Sequence, residues 1–461
     1  MKKGRYYSED EVKTIAQSVI GKTFNDIINS ELITIEDNKI QKGSLGDIIE
    51  EALFGIEKNT DSGPDFLDAG IELKVTPYKR NKDNSLSAKE RLVLNIIDYD
   101  TEYANQFKAS HFWFKNNKIE IIWYLYDETK NKLNFVITNE FLLDLSVSKD
   151  LAQIEKDYYF IINKIKQGKA HELSEADTMY LGACTKGANS NDLRSQPFSQ
   201  IPAMRRAFCF KTSYMTQLVR KCIGDYSNVE QLITGHADFN EFVNEKIKPF
   251  IGMSQSELIQ SFNIESTAKN LNSIIINKMF NLNGNLKDTD EFMKANIIPR
   301  TLRVESNNKI IESMPFPCFE YKKIVKERWD TCELKEILET TKFMFFIFKN
   351  DGNDYIFKGI KLWNMPEEVI EKNVKDVWIR TKHIVQTGNI VKEILPNKRL
   401  TNFPGLSDDE VCHVRPHARD MNDTYELPTQ DLLTGLTNYT KHCFWINNKY
   451  LENIIEDKKT D

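Results

Sequence analysis

The stretch Gly63–Pro77, GPDFLDAGIELKVTP, holds two carboxylates and a lysine at a spacing suited to phosphodiester chemistry. Pro64-Asp65 precedes Glu72-Leu73-Lys74. Ile71 to Thr76 reads as a strand, so Glu72 and Lys74, two apart, leave one face while Leu73 turns into the core. Asp65 stands just before the strand, near enough to return to the same point. Paired carboxylates make a hard, all-oxygen site of the kind Mg2+ takes, with positions left for water and a phosphate oxygen. Such a metal lowers the pKa of a bound water and offsets charge building on phosphorus. Lys74 would orient the attacking water or neutralise the phosphorane beside it. On this pattern alone two readings stand, a hydrolytic metal site and a strand with one polar face. Glu-x-Lys also begins at Glu11, Glu128, Glu320, Glu333 and Glu456. The copy at Glu72 is the one set in an apolar strand behind a Pro-Asp.

A third carboxylate, Glu50, follows Ile48 and Ile49 on an amphipathic helix read over Leu45–Phe54, and Lys42 leads into it. The run Lys42-Gly43-x-x-Gly46-x-x-x-Glu50, then Asp65 and Glu72-x-Lys74, resembles the MutH family, which comprises mismatch-repair nicking endonucleases and Sau-type restriction enzymes that recognise GATC. IGKTFNDI at Ile20–Ile27 resembles the family's Gly-x-Thr helix. LGACTKGANS at Leu181–Ser190, followed by FCFK, resembles its recognition loop and the next strand. SAKERLVLN at Ser87–Asn95 is similar to the Sau-type branch, and the resemblance covers most of residues 8–220. It implies that Asp65 and Glu72 ligate Mg2+, that Lys74 acts on the water and the scissile phosphate, and that Glu50 supports the metal site. It implies too that Lys42 and the Lys186 loop face DNA, and that Lys115 is a further active-site lysine, with Lys118 competing for that place. The recognition loop departs from the pattern. The mismatch-repair branch carries Arg-Pro-Lys where this chain has Cys184-Thr185-Lys186, and neither cysteine nor threonine makes arginine's bidentate contact with guanine.

The elements that must carry these residues occur twice. IGKTFNDI at Ile20 matches IGMSQSELI at Ile251, an offset of 231 residues. GDIIEEALFG at Gly46 matches NSIIINKMFN at Asn272 (226), HFWFKNN at His111 matches FFIFKND at Phe345 (234), and FCFKTSYMTQLV at Phe208 matches FWINNKYLENII at Phe444 (236). Four matches in one order point to a tandem duplication, with domains at 1–225 and 235–461 and a junction near Asp225–His236. Ser8 to about Ile20 reads as a helix with Ser8 and Glu11 as capping box. Arg91–Ile97, Lys118–Tyr126 and the aromatic run His111–Asn117 read as strands, and Met215–Arg220 as a helix. The aromatic clusters around Trp113 and Phe343–Phe348 read as sheet core. The class expected is α/β, a mixed sheet flanked by helices, present twice. In the second copy Ile276 falls opposite Glu50. Aligning Ile71–Val75 with Arg300–Val304 puts Thr301 opposite Glu72, Arg303 opposite Lys74 and Lys294 opposite Asp65, so no hard-metal site survives there. The loop Val411–Asp423 instead carries Arg415-Pro416-His417 where the first copy has Cys184-Thr185-Lys186.

The totals bound this reading without deciding it. With 461 residues, two domains are the default. A net charge of −6 gives no advertisement of nucleic acid, but a basic groove can sit on an acidic body. No apolar run approaches the ~20 residues of a membrane span. MKKGRYYSEDEVK lacks the apolar core of a secretory leader. Seven scattered cysteines suit a reducing cytoplasm better than a disulfide framework. Cys412, His413, His417, His442 and Cys443 lack the spacing of a zinc ribbon or finger, and no Walker-type phosphate loop appears. The expectation is a magnesium-dependent type II restriction endonuclease acting on double-stranded DNA at a short site, GATC by the resemblance. Its second half would bind DNA without cutting, as effector or scaffold, and the chain would self-associate on DNA. The alternatives are a mismatch-repair nicking endonuclease, whose branch has one such domain, and a DNA-binding protein that has lost catalysis.

Overall fold

The computed structural model describes residues 4–30, 45–57, 61–187, 192–224, 226, 229–233, 238–265, 270–396 and 398–456. Lys42 lies outside them. Two compact units emerge, Met1–Phe242 with Lys287–Ile297, and Val243–Leu286 with Ile298–Asp461.

The first unit opens with α1 (Glu9–Ser18), started by the Ser8–Glu11 capping box, and α2 (Phe24–Ser30). A third helix, α3 (Leu45–Ile48), widens into a π-helical turn, Ile49–Phe54, that stops at left-handed Gly55. Such bulges reorient side chains and recur at functional sites; this one carries Glu50. The central sheet has the order β2-β1-β4-β5, formed by β1 (Glu72–Arg80), β2 (Leu86–Ala88), β4 (Lys118–Leu125) and β5 (Val136–Asp144). β1 runs parallel to β4, pairing Glu72 with Ile119 and Lys74 with Ile121, and β5 returns antiparallel. A second sheet, β3-β9-β6, joins β3 (Leu92–Ile96), β9 (Arg206–Phe210) and β6 (Leu181–Thr185). The hairpin of β7 (Leu193–Gln196) and β8 (Ser199–Met204) follows β6. The near-continuous apolar run of β4 is buried along most of its length, as a central strand covered on both faces must be.

One expected strand is a helix. His111–Asn116 forms α4, because Ser110 caps it, its hydroxyl accepting the Trp113 N–H at 3.0 Å. Phe112 enters the core and Lys115 leaves on another side of the turn. Two longer helices, α5 (Leu151–Lys166) and α6 (Thr212–Ile223), complete the unit.

The second unit repeats the plan. It has α7 (Gln255–Ser261) and α8 (Leu271–Met279), then a sheet β10-β12-β13 built from β10 (Ile297–Val304), β12 (Lys342–Asn350) and β13 (Tyr355–Trp363). Ahead of β12 lies α9 (Glu333–Thr340), and after β13 comes α10 (Lys375–Thr387). The sheet β11-β19-β16, from β11 (Met314–Cys318), β16 (Cys412–Pro416) and β19 (His442–Ile446), matches β3-β9-β6. Small pairs, β14 (Val391–Leu395) with β15 (Lys398–Thr401) and β17 (Thr424–Glu426) with β18 (Asn438–Thr440), decorate it, and α11 (Asn448–Ile455) closes the chain. Phe343, Phe345, Phe346 and Phe348 are buried on β12. Backbone details repeat as well. Gly21 and Ile137 exchange hydrogen bonds in the form Gly21 N–H to Ile137 O (2.8 Å) and Ile137 N–H to Lys22 O (2.9 Å). Gly252, Met253 and Phe357 do the same at 2.9 Å each, and both glycines are left-handed. The chain is a tandem duplication of one α/β plan. The aromatic match of His111 with Phe345 does not hold, since one segment is helix and the other strand; β4 is the counterpart of β12, and α4 that of α9.

Candidate active site

Asp65 reaches the start of β1 through a tight return. Gly70, at φ +65°, turns the chain in a conformation that side-chain-bearing residues rarely adopt. Phe66 and Ile71 then bond each other, N–H to O, at 2.9 and 3.1 Å. The Asp65 Oδ2 accepts the Leu73 N–H at 2.9 Å, which places its carboxylate beside the strand carrying Glu72 and Lys74. From the far end of the sequence Arg5 clamps this loop: Nε donates to Asp65 O (3.2 Å), Nη2 to Pro64 O (2.8 Å), and Nη1 pairs with Asp61.

Glu72 is 2% exposed and is the hub. Its Oε1 meets the Lys74 Nζ at 2.5 Å and the Lys115 Nζ at 3.5 Å. Its Oε2 is buried with no hydrogen-bond partner among the described residues. An ionised buried oxygen left unpaired is costly, and a cation is the natural remedy. Burial pushes the Glu72 carboxyl above the usual range, helped by the Asp65 charge and opposed by Lys74 and Lys115. Burial, then the Asp65 charge, pushes Glu50 up to about 7, against the pull of Lys74. Burial alone would lower the Lys74 amine, but the charges of Glu72, Asp65 and Glu50 outweigh it and hold the group protonated. Three carboxylates that repel one another, relieved in part by two ammonium groups, suit a divalent cation. Among the described residues no three His, Cys, Asp or Glu side chains are grouped so that they could hold a metal ion together. A cation resting on two carboxylates, with water completing its shell, is the pattern magnesium tolerates.

Lys118, the competitor of Lys115, is engaged elsewhere, with Glu9 at 2.6 Å and Asp144 at 3.9 Å. Lys115 reaches Glu72 because α4 is a helix. The return loop of Asp65, its clamp by Arg5 and the helix that delivers Lys115 are features that sequence reasoning missed; the Ser110 cap was the available signal for the last.

The chain is similar to known proteins in the part that carries this site. The family model for "DNA mismatch repair enzyme MutH" matches residues 54–157. The Type II restriction enzyme Sau3AI of Staphylococcus aureus is 35% identical over 98% of this chain and 99% of its own length. The chain belongs to the MutH family, in its Sau-type restriction-endonuclease branch. Restriction endonucleases use a divalent metal and act on DNA, and the mixed α/β unit described above is the scaffold of that family. Among the described residues no helix is long and apolar enough to cross a membrane.

The two loops expected from the sequence to face DNA fall at one place in the two units. β6 pairs with β9, Leu181 against Phe210 and Thr185 against Arg206, while β16 pairs with β19, Cys412 against Ile446 and Pro416 against His442. Beyond the strands, Lys186 N–H donates to Arg205 O (2.9 Å) and His417 N–H to Lys441 O (3.0 Å). Cys184 therefore corresponds to Arg415, Thr185 to Pro416 and Lys186 to His417. Lys186 is exposed at the end of β6. Arg415 is exposed and lies over Trp445, its guanidinium carbon 3.8 Å from the ring centre, with His417 edge-on to the same ring at 5.1 Å.

The second copy's counterparts of Glu50, Asp65, Glu72 and Lys74 are set by the left-handed turns. Gly55 corresponds to Asn281 and Gly70 to Asn296, all at positive φ and both pairs 226 residues apart. This register keeps Ile276 opposite Glu50 but puts Ile298 opposite Glu72, Arg300 opposite Lys74 and Glu291 opposite Asp65, in place of Thr301, Arg303 and Lys294. Lys294 is buried instead against Asp150 (2.7 Å) and Asp290 (3.0 Å). Glu291 spends its carboxylate on the backbone N–H groups of Leu232 and Ile233.

Proposed function

We propose that this type II restriction endonuclease hydrolyses both strands of duplex DNA at GATC, in the cytoplasm, with Mg2+ held by Asp65 and Glu72 and supported by Glu50. The observation that carries the reading is the unpartnered buried oxygen of Glu72, set beside Asp65 and faced on its other oxygen by Lys74 and Lys115. When bound, the ion supplies positive charge to the scissile phosphate and acidifies water. The chain's own groups do the rest. Asp65, fixed by the Leu73 N–H, and Glu72, fixed by the two lysines, hold the charge that defines where the phosphate sits. Lys74 orients the attacking water and holds a proton at Nζ. Lys115 faces the phosphate as its charge grows, the point where a positioned cation is most effective. Lys186, exposed at the end of β6, would face DNA, and the resemblance gives Lys42 the same role.

The second unit binds DNA without cutting it. It offers no carboxylate opposite Glu72, while its loop carries Arg415, His417 and the intervening Pro416. An exposed arginine supported on an indole is available for the bidentate contact that reads guanine. This unit would engage a further copy of the site and raise cleavage at the first unit, DNA acting as effector. One catalytic centre per chain cuts one strand at a time, so self-association on DNA would complete the double-strand break. The deciding experiment is incubation with unmethylated plasmid and Mg2+, with fragment ends sequenced. Discrete fragments sharing GATC at every end support the reading; nicked circles alone, or ends of another sequence, overturn it.

A further inference from the structure

Between the recognition sheet and the catalytic loop lies a polar chain that the reaction itself does not use. It begins at Asn116, fully buried at the end of α4. Its Nδ2 donates to Phe112 O at 2.9 Å and to Asn95 Oδ1 at 2.8 Å. Reversing that amide would set its oxygen against two acceptors, so its orientation is fixed. Asn95, 6% exposed on β3, must then present its Nδ2 to the other side, where it meets His111 Nδ1 at 3.3 Å. That leaves His111 Nδ1 as acceptor and Nε2 as the protonated nitrogen. Nε2 donates to Ser62 O at 2.8 Å, three residues before Asp65. Each hydrogen in the chain has one sense, set from the buried end.

The placement of the three residues gives the chain a purpose. Asn95 belongs to β3, which pairs with β9, and β9 pairs with β6, the strand that ends at the Lys186 loop. His111 opens α4, and Lys115, one turn later on the same helix, is the residue that reaches Glu72. Ser62 leads into the loop that presents Asp65. We propose that His111 and Asn95 are positioning residues that tie the DNA-reading sheet to two elements of the catalytic centre, the Asp65 loop and the Lys115 helix. A shift of β3 is passed through Asn95 to the imidazole, and from there to the Ser62 carbonyl. Arg5 secures the same loop from its other side, so His111 sets position more than it supplies stability. The inference rests on the reading of Asp65 as part of the cleavage site.

The test uses the full chain with His111→Ala, His111→Gln and Asn95→Ala. Glutamine keeps an N–H donor near the place of Nε2, whereas alanine removes it. The first readout needs no metal and no cleavage: hydrogen exchange of the Leu73 amide, which is held by the Asp65 carboxylate. His111→Ala should speed that exchange while amides of β4 keep their protection, and His111→Gln should restore it. The second readout is single-turnover cleavage of a GATC duplex. His111→Ala and Asn95→Ala should slow it about 10- to 100-fold, the scale of a misplaced reacting group. Duplex affinity without divalent metal should stay unchanged, and His111→Gln should recover most of the rate. Equal protection of Leu73 in wild type and His111→Ala, or a loss confined to affinity, overturns the proposal. General loss of protection across β4 as well would make His111 a residue of the fold, which also overturns it. Asp65→Ala run in parallel separates the two layers. If that variant still cuts, the assignment of the site is wrong, whatever His111 does.

Discussion

Glu120 gives a prediction whose size follows from its surroundings. It sits on β4 opposite Leu73, hence on the sheet face away from Glu72, and is 1% exposed. Burial, then the charge and shared hydrogen bond of Glu140, pushes its carboxyl up to about 8, against a small opposing pull from Lys13. A carboxyl whose folded pKa is raised stabilises the fold fully below its unfolded value, near 4.5, and loses that contribution as pH climbs through about 8. At about 1.4 kcal/mol per pH unit the gap sets a ceiling of about 5 kcal/mol. Water entry and side-chain relaxation on ionisation reduce this to about 1–3 kcal/mol. Glu120→Gln keeps the shape, cannot ionise, and can donate to Glu140. Thermal unfolding of wild type and variant, in matched buffers from pH 5 to pH 9 without metal, should give curves that nearly coincide at pH 5. By pH 9 the variant should unfold about 3–8 °C higher. Its cleavage rate should stay near wild type, since the catalytic carboxylates lie on the other face. A stability difference that is the same at pH 5 and pH 9 refutes the reasoning.

Asp65→Ala or Glu72→Ala should abolish cleavage while retaining duplex binding; binding can even tighten as negative charge near the phosphates is removed, and gel-shift with parallel cleavage assays decides. Lys74→Ala should cut at least ~10²-fold slower in single turnover with little change in affinity, the scale of one lost transition-state donor; a loss mainly of affinity would make Lys74 a phosphate-positioning group. Arg415→Ala should weaken binding of the GATC duplex by about 1–3 kcal/mol and remove any advantage of two-site over one-site plasmids. Unchanged binding and cleavage on both plasmids would leave the second unit as scaffold.

What was legible in the sequence was local. Glu72 and Lys74 could be placed on one face because a strand's period of two needs nothing beyond its neighbours, and Ser8–Glu11 announced a cap that forms. The duplication was legible because whole elements repeat in order. The misreading of His111–Asn117 as a strand came from its aromatic content, a weak propensity that the Ser110 cap overrides. Arg5 and His111 were invisible for another reason. Their partners lie 60 and 49 residues away, and no periodicity links a side chain to a backbone carbonyl at such a distance. The counterpart of Asp65 was misplaced by three residues because the apolar pattern of β10 fits β1 in more than one register, and it takes the left-handed turns at Gly70 and Asn296 to choose between them.

The fate of the two copies follows from what each position demands. Carboxylates gathered at one point and withdrawn from water are expensive to keep: burial first, then the charge of Asp65, pushes the Glu50 carboxyl up to about 7. Function can maintain that cost in one unit; in the other, Ile276 and Ile298 replace Glu50 and Glu72 and remove it. The loop that we propose faces DNA is under the opposite demand. An exposed arginine on Trp445 costs the fold little, so Arg415 can persist in a unit with no chemistry to perform. The first unit, with Cys184 in that place, has a buried thiol where the second has an exposed cation. Under the proposed function, cutting and guanine reading are thus weighted differently in the two units. The boundary between them also limits how they can be separated. Lys287–Ile297 packs with the first unit although it follows α7 and α8 of the second in the chain. Within it Asp290 and Lys294 are buried with Asp150, a residue of the first unit. A second half excised near residue 235 would take that segment away and leave Asp150 without its lysine, an uncompensated buried charge. The role of the second unit is therefore to be read from point substitutions such as Arg415→Ala in the intact chain, where a change in two-site preference reports DNA engagement and not a damaged fold.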